Sequence, residues 1–325
     1  MKPTYYPKKM RVNDYEIEAS HLWNLTERCL EGSIPIEKTP KNSHFRYGSS
    51  KSHWLKDRHY VFGQRRMQVS KDVSDNHERS SIQVLGSNYY GAKASINVWN
   101  PKVENQNEFS LSHISFNSED GKSSLAAGWM VNPSLYGGNK TRFFIYWVTD
   151  VDESPGCFNL DCPGFVQTNH NTLLSGYLQP VSVYGGPQYS IDVEIFQDMG
   201  NGNWWLRLQG VEMGYWPKEV VPSLAEGAGV IVWGGEVVNM QSDDRHTSTQ
   251  MGSGHYSNEG FEKASFFKNV QVLDASVSTG FSDPVHLSVV IQSPKCYDLQ
   301  VGGKKDGPWG YFFFYGGPGR SNICT

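Results

Sequence analysis

From Ser81 to the C-terminus the chain is a succession of short apolar and aromatic runs, each closed by a turn signal, with no helix-length apolar periodicity between them. Eleven runs stand out: Gly91–Asn100, Phe109–Phe116, Leu125–Val131, Arg142–Asp150, Gly164–Thr168, Gln188–Gln197, Asn203–Gln209, Gly229–Asn239, Ala264–Leu273, Val285–Ile291 and Trp309–Tyr315. Between them lie Asn100-Pro101, Tyr136-Gly137-Gly138-Asn139, Gly185-Gly186-Pro187, Gly200-Asn201-Gly202-Asn203 and Gly316-Gly317-Pro318-Gly319, the residue types that tight turns select. Without crossover helices, parallel βαβ units are excluded and antiparallel pairing remains. An aromatic share of 13% and 33 glycines fit that class. The expectation is all-β: an antiparallel β-sandwich of two large sheets over residues 81–325, preceded by a mostly irregular segment at 1–80. No fixed internal period points to a propeller.

Val230–Asn239 is the most informative run, apolar and β-branched with one carboxylate in its middle. As a strand it places Val232, Glu236 and Val238 on one face and Ile231, Trp233, Val237 and Asn239 on the other. A carboxyl among valines loses hydration, which raises its pKa and makes Glu236 a candidate general acid. The competing reading is a structural glutamate satisfied by an arginine or by backbone donors.

The N-terminal part differs in charge. Residues 1–72 carry 14 Lys and Arg against 8 Asp and Glu, which leaves 15 against 25 for residues 73–325. A basic arm on an acidic body predicts intramolecular docking, here over the cleft around Glu236, weakened as carboxylates protonate. The basic residues are scattered among acids and prolines, a pattern that does not suit nucleic-acid binding. Ile17, His21, Leu22 and Leu25 fall at helical spacing within Asp14–Arg28, and Arg65-Arg66 sits in a polar stretch suited to a linker or processing site. No run of 18 apolar residues offers a membrane-spanning helix, and Met1–Pro7 shows no apolar signal core.

Cys157 and Cys162 flank four residues, and Cys296 and Cys324 bracket the aromatic C-terminal segment. Two local disulfides are expected, with Cys29 left over. CxxC pairs or histidines at zinc spacing are lacking, and no cofactor is implied. Asn24-Leu25-Thr26 and Asn139-Lys140-Thr141 are glycosylation acceptor patterns that agree with an oxidising, secretory setting. His113, His246, His255 and His286 would allow a serine triad, but no G-x-S-x-G elbow accompanies them. Trp204-Trp205, Tyr215-Trp216 and Trp233 could stack on sugar rings or proline, or fill a core. Acid/base chemistry by paired carboxylates is the remaining class, and it requires a partner for Glu236.

Many separate motifs share one resemblance. Tyr89-Tyr90-Gly91-Ala92-Lys93-Ala94, Asn97-Val98-Trp99-Asn100-Pro101, Gly128-Trp129, Gly156-Cys157-Phe158-Asn159-Leu160, Gly202-Asn203-Trp204-Trp205, Gly214-Tyr215-Trp216-Pro217, Trp233-Gly234-Gly235-Glu236-Val237 and Tyr315-Gly316-Gly317-Pro318-Gly319-Arg320 resemble the neprosin family of plant secreted proteins across about residues 80–325. His21-Leu22-Trp23 and Arg28–Pro35 resemble the end of that family's activation peptide. The resemblance implies a secreted β-sandwich glutamic endopeptidase, made as an inhibited precursor and cleaving after proline at acidic pH without metal or cofactor. It implies proline-containing peptides or proteins as substrates and the chain's own activation segment as an intramolecular partner, with an upstream partner for Cys29.

Two glutamates act as a pair in that family, and Glu236 occupies the second position. The first belongs in Glu-x-Gly-Trp, where this chain has Ala126-Ala127-Gly128-Trp129. Alanine can neither take a proton nor orient water, so the resemblance implies an impaired peptidase, restorable by Ala126→Glu if position 126 faces Glu236. Glu194, in an alternating strand, is a conceivable substitute. The alternative is a non-catalytic binding module for proline-rich peptides or cell-wall polymers.

Overall fold

The computed structural model describes residues 1–7, 33–36, 76–149, 156–241, 245–275 and 280–325. Among them are fifteen strands: β1 (His77–Tyr89), β2 (Gly91–Asn97), β3 (Ser110–Asn117), β4 (Ser124–Val131), β5 (Arg142–Val148), β6 (Cys157–Phe158), β7 (Val166–Gln167), β8 (Ser190–Gln197), β9 (Trp204–Leu208), β10 (Val211–Trp216), β11 (Ala228–Val238), β12 (Ser265–Leu273), β13 (Ser288–Ile291), β14 (Asp298–Lys305) and β15 (Gly310–Gly316). A single helical turn, α1 (Pro133–Tyr136), is capped by the Asn132 side chain.

The strands form two antiparallel sheets, one ordered β13-β1-β11-β3-β4-β5-β6 and the other β14-β15-β12-β2-β8-β9-β10-β7. Period-two alternation assembles the core between them. Ile231, Trp233 and Val237 of β11 meet Ile114 and Phe116 of β3 and Trp129 of β4 from one side. Ile96, Ile195, Trp204, Leu206 and Phe267 come from the other. Burying each such side chain stabilises the fold by about 1.5–3 kcal/mol. Trp204, Trp216 and Trp233 are therefore core residues rather than ligand platforms.

The all-β sandwich matches the expectation, and all eleven predicted runs contain strands. β1, β6, β10 and β14 were not among them. β1 opens at His77, so the sandwich starts before Ser81, and His77 and Arg79 belong to it rather than to the linker. Its outward half is polar, with Arg79, Ser81 and Gln83 alternating against inward Ile82 and Val84, which weakens its apolar signature. β14 is a glycine-containing edge strand with little buried surface.

Both expected disulfides form, Cys157 with Cys162 and Cys296 with Cys324, at Cα separations of 6.2 and 5.0 Å. Asn139 lies exposed in the turn after α1. Cys29, Asn24, the Asp14–Arg28 periodicity and Arg65-Arg66 fall outside the described residues. Two described pieces of the N-terminal segment touch the sandwich. Met1–Pro7 lies on the eight-stranded sheet, where Thr4 bonds Asp198. Further along, the Ser33 carbonyl accepts from His170 Nδ1 at 2.6 Å, with Pro35 buried nearby. Neither contact involves Glu236.

Candidate functional site

β11 carries Glu236 onto the outward face of the seven-stranded sheet, as the alternation requires, and the side chain is only 1% exposed. Its surroundings come from β1. The antiparallel register sets Arg79 directly opposite Glu236 and His77 opposite Val238. Arg79 Nε donates to Glu236 Oε2 at 2.9 Å, and His77 Nδ1 donates to Oε1. Both carboxylate oxygens are thus engaged.

This pairing reverses the expected titration. Burial pushes the Glu236 carboxyl upward, but the Arg79 guanidinium and His77 outweigh it and hold the group well below the usual carboxylate range. The prediction of a raised pKa is corrected: the valine-rich run supplies the desolvation, while β1 supplies two donors that strand alternation cannot reveal. A carboxylate held ionised by an ion pair is a poor general acid. Of the two readings of the sequence, the arginine-satisfied glutamate describes this geometry.

His113 lies one row further along. It is placed between Gly234 and Gly128 across the sheet, and burial lowers its pKa to about 4 despite the attraction of Glu236. Nδ1 of this ring has no partner among the described residues. The flanking glycines allow close strand approach: a Cβ on Gly128 would stand 2.0 Å from the Ser112 carbonyl oxygen, and one on Gly234 2.5 Å from that of Ser80. The role of Gly128 is therefore strand packing.

Ala126 shares the outward face with Glu236 but not its neighbourhood. Across β3, Ala126 pairs with Ser115 and Ser115 with Val232, whereas Glu236 aligns with Leu111 and Met130. The two positions are four residues out of register, about 13 Å along the strands and about 10 Å across them. At that separation Ala126→Glu would not bring its carboxyl into direct contact with Glu236. The residue across the intervening strand from Ala126 is Val232. Ala126 itself packs with Met130, Phe144 and Tyr146, while Ser115, Val232 and Gln83 in its row are partly exposed.

Glu194 is in the other sheet. It points outward from β8 and is bonded to Arg207 at 2.7 Å, so it cannot substitute at position 126. Two further candidate histidines have other carboxylates: His246 bonds Glu78 at 2.7 Å and His255 bonds Glu259 at 2.9 Å. His246 also approaches Cys296 and Cys324, but those sulfurs are joined in a disulfide and leave a single ligand, insufficient for a metal centre. The residues missed from sequence are His77 and Arg79. The His-x-Arg-x-Ser-x-Gln alternation at 77–83 was the available signal, and its polarity placed it in the linker.

Solved structures match this chain at low identity. A Scytalido-glutamic peptidase bound to a peptide-based transition-state analog is 11% identical, covers 73% of this chain and 97% of its own, and has a TM-score of 0.41. SCP-B of the Eqolisin family, in complex with the tripeptide Ala-Ile-His, is 9% identical, with coverages of 73% and 96% and a TM-score of 0.39. The β-porphyranase BpGH16B from the human gut bacterium Bacteroides plebeius is 7% identical, with coverages of 50% and 55% and a TM-score of 0.24. The sequence itself gives the family: residues 106–318, spanning β3 to β15, match Neprosin, and the chain belongs to the Neprosin family.

Proposed function

We propose that this chain is a neprosin-type glutamic endopeptidase whose acid/base pair has been dismantled, leaving a secreted protein that binds proline-containing peptides and cleaves them poorly or not at all. One observation carries the reading. The carboxylate on this face, Glu236, is buried and spent on Arg79 and His77, while the buried Ala126 lies across one strand from the partly exposed Val232, an apolar pair with no carboxyl. General acid/base catalysis needs a carboxyl that can exchange a proton with bound water or substrate, and neither place supplies one. Two intrachain disulfides support the secreted setting. Inheritance of the N-terminal segment as an activation peptide, and of a preference for proline, rests on family membership.

The test is cleavage of a proline-containing peptide across pH 2–7, before and after limited proteolysis of the N-terminal segment. Parent and Ala126→Glu should both remain near background. Ala126→Glu combined with Val232→Glu places two carboxylates on one row, and each positioned proton-transfer group contributes about 10²–10⁴-fold. That double variant should gain at least about 10²-fold. Post-proline cleavage by the parent that disappears in Glu236→Gln would overturn the reading and return Glu236 to a catalytic role.

A further inference from the structure

The outward face of the eight-stranded sheet already holds a peptide, the chain's own first seven residues. β8 turns Phe196 outward, β9 places Trp205 beside it and β10 places Tyr215 next to Trp205, so three aromatic rings follow one another across the sheet. The Trp205 and Tyr215 rings are 4.9 Å apart. Beside this row, Arg207 ties Glu194 to Glu212. Asp198, fully buried just past the end of β8, completes the strip.

Met1–Pro7 engages each part of it. The Thr4 backbone N–H donates to Asp198 Oδ2 at 2.6 Å, and its hydroxyl donates to Oδ1 at 2.7 Å. Tyr6 sets its ring 6.3 Å from that of Phe196 and bonds its hydroxyl to Glu212. Pro3 and Pro7 are buried at either end, while Thr4 and Tyr6 between them remain largely exposed. Gly200 makes the approach possible, because a Cβ there would stand 2.4 Å from the Thr4 hydroxyl. The Trp205 indole N–H, fully buried in the floor, has no acceptor among the described residues.

These contacts read the chemistry of an extended segment: one backbone amide and one hydroxyl on a buried carboxylate, a tyrosine over an aromatic row, and prolines at two anchor points. Proline lowers the entropy lost on docking because its φ is already fixed. We propose that this strip is a docking site for extended proline- and tyrosine-bearing segments of partner proteins, with Pro3–Pro7 as its resident competitor in cis. The site is on the opposite sheet from Glu236 and does not depend on whether that face is catalytic. A competitor on the same chain binds intramolecularly, which hides trans binding until its contacts are weakened.

The probe is a fluorescent synthetic peptide with the sequence of residues 1–7, titrated into the full chain and into the full chain carrying Thr4→Ala and Tyr6→Ala. Both substitutions remove contacts between the segment and the strip and change no residue of the sandwich. The loosened chain should bind the probe at least about tenfold tighter than the parent. Adding Gly200→Ala should abolish that binding. A probe with both prolines replaced by alanine should also bind at least about tenfold more weakly, a result independent of how any protein variant folds. Equal affinity of parent and loosened chain for the probe would overturn the proposal, as would equal affinity for the proline-free probe.

Discussion

Each sheet buries a glutamate against an arginine on its outward face, yet the two carboxyls are displaced in opposite directions. Glu236 has donors on both oxygens, Arg79 and His77, and its pKa is lowered. Glu194 has Arg207 on Oε2 and, among the described residues, no partner on Oε1, and its pKa is raised, chiefly by burial, with Asp192 adding to the shift against the pull of Arg207 and Lys93. Glu236 is the more deeply buried of the two, so the attraction of Arg79 and His77, with a donor on each oxygen, decides the sign. The difference also separates the roles of the two faces. The first spends its charge on holding β1 to β11, and the second keeps a charged ladder beside an aromatic strip that a peptide segment occupies.

The largest effect should come from removing an arginine. Arg79→Met would leave Glu236 ionised and buried with one donor, and breaking a buried pair in this way costs about 3–5 kcal/mol. Arg207→Met should cost less at the same pH, because Glu194 is already inclined to take up a proton and escape the uncompensated charge. Urea unfolding of both variants measures the difference. Equal losses would mean that the direction of the carboxyl shifts does not reflect how firmly each charge is held.

The second effect is a pH dependence of opposite sign on the two faces. His113 has a folded pKa of about 4 against an ordinary 6.5, so the unfolded chain takes a proton that the folded chain refuses. Stability from this group is complete above about pH 6.5 and falls as pH drops toward 4, by about 3 kcal/mol in all. Glu236, with a lowered pKa, adds a further loss below about 4.5. Glu194, with a raised pKa, does the reverse: its contribution declines as pH rises through the folded value. His113→Asn should flatten the stability profile between pH 6.5 and 4, read by denaturant midpoints at several pH values. An unchanged slope would show that this ring is not the group being titrated.

How far the sequence carried this picture depended on whether the controlling contact was local. Alternation in Val230–Asn239 correctly put Trp233 and Glu236 on opposite faces, because strand geometry is decided within the run itself. The two disulfides were readable because each closes a short or bounded loop. The state of Glu236 was not readable, since its partners Arg79 and His77 are 157 and 159 residues away in the chain. Nor was the relation of Ala126 to Val232, which depends on the register of three strands at once. The family resemblance made Glu236 the expected partner of position 126, and the strand register sets them four residues apart.

The smallest effect is the sharpest test of the donor argument. Glutamine is nearly isosteric with glutamate but offers one acceptor oxygen and one NH₂ donor in place of two acceptors. At position 194 its oxygen can keep the Arg207 bond while the NH₂ replaces an oxygen that has no partner among the described residues, and the burial cost of a charge disappears. Glu194→Gln should therefore lie within about 1 kcal/mol of the parent at pH 7, the range expected where no satisfied group is lost. At position 236 both oxygens accept, so the NH₂ must face either Arg79 or His77, leaving a buried donor without its acceptor at a cost of about 1–3 kcal/mol or more where the donor is charged. Side-by-side denaturation of the two variants checks this asymmetry. If Glu194→Gln proved as costly as Glu236→Gln, the unpartnered Oε1 would be making a contact that counts toward stability, and the distinction between a fully donated and a half-donated carboxylate would fail.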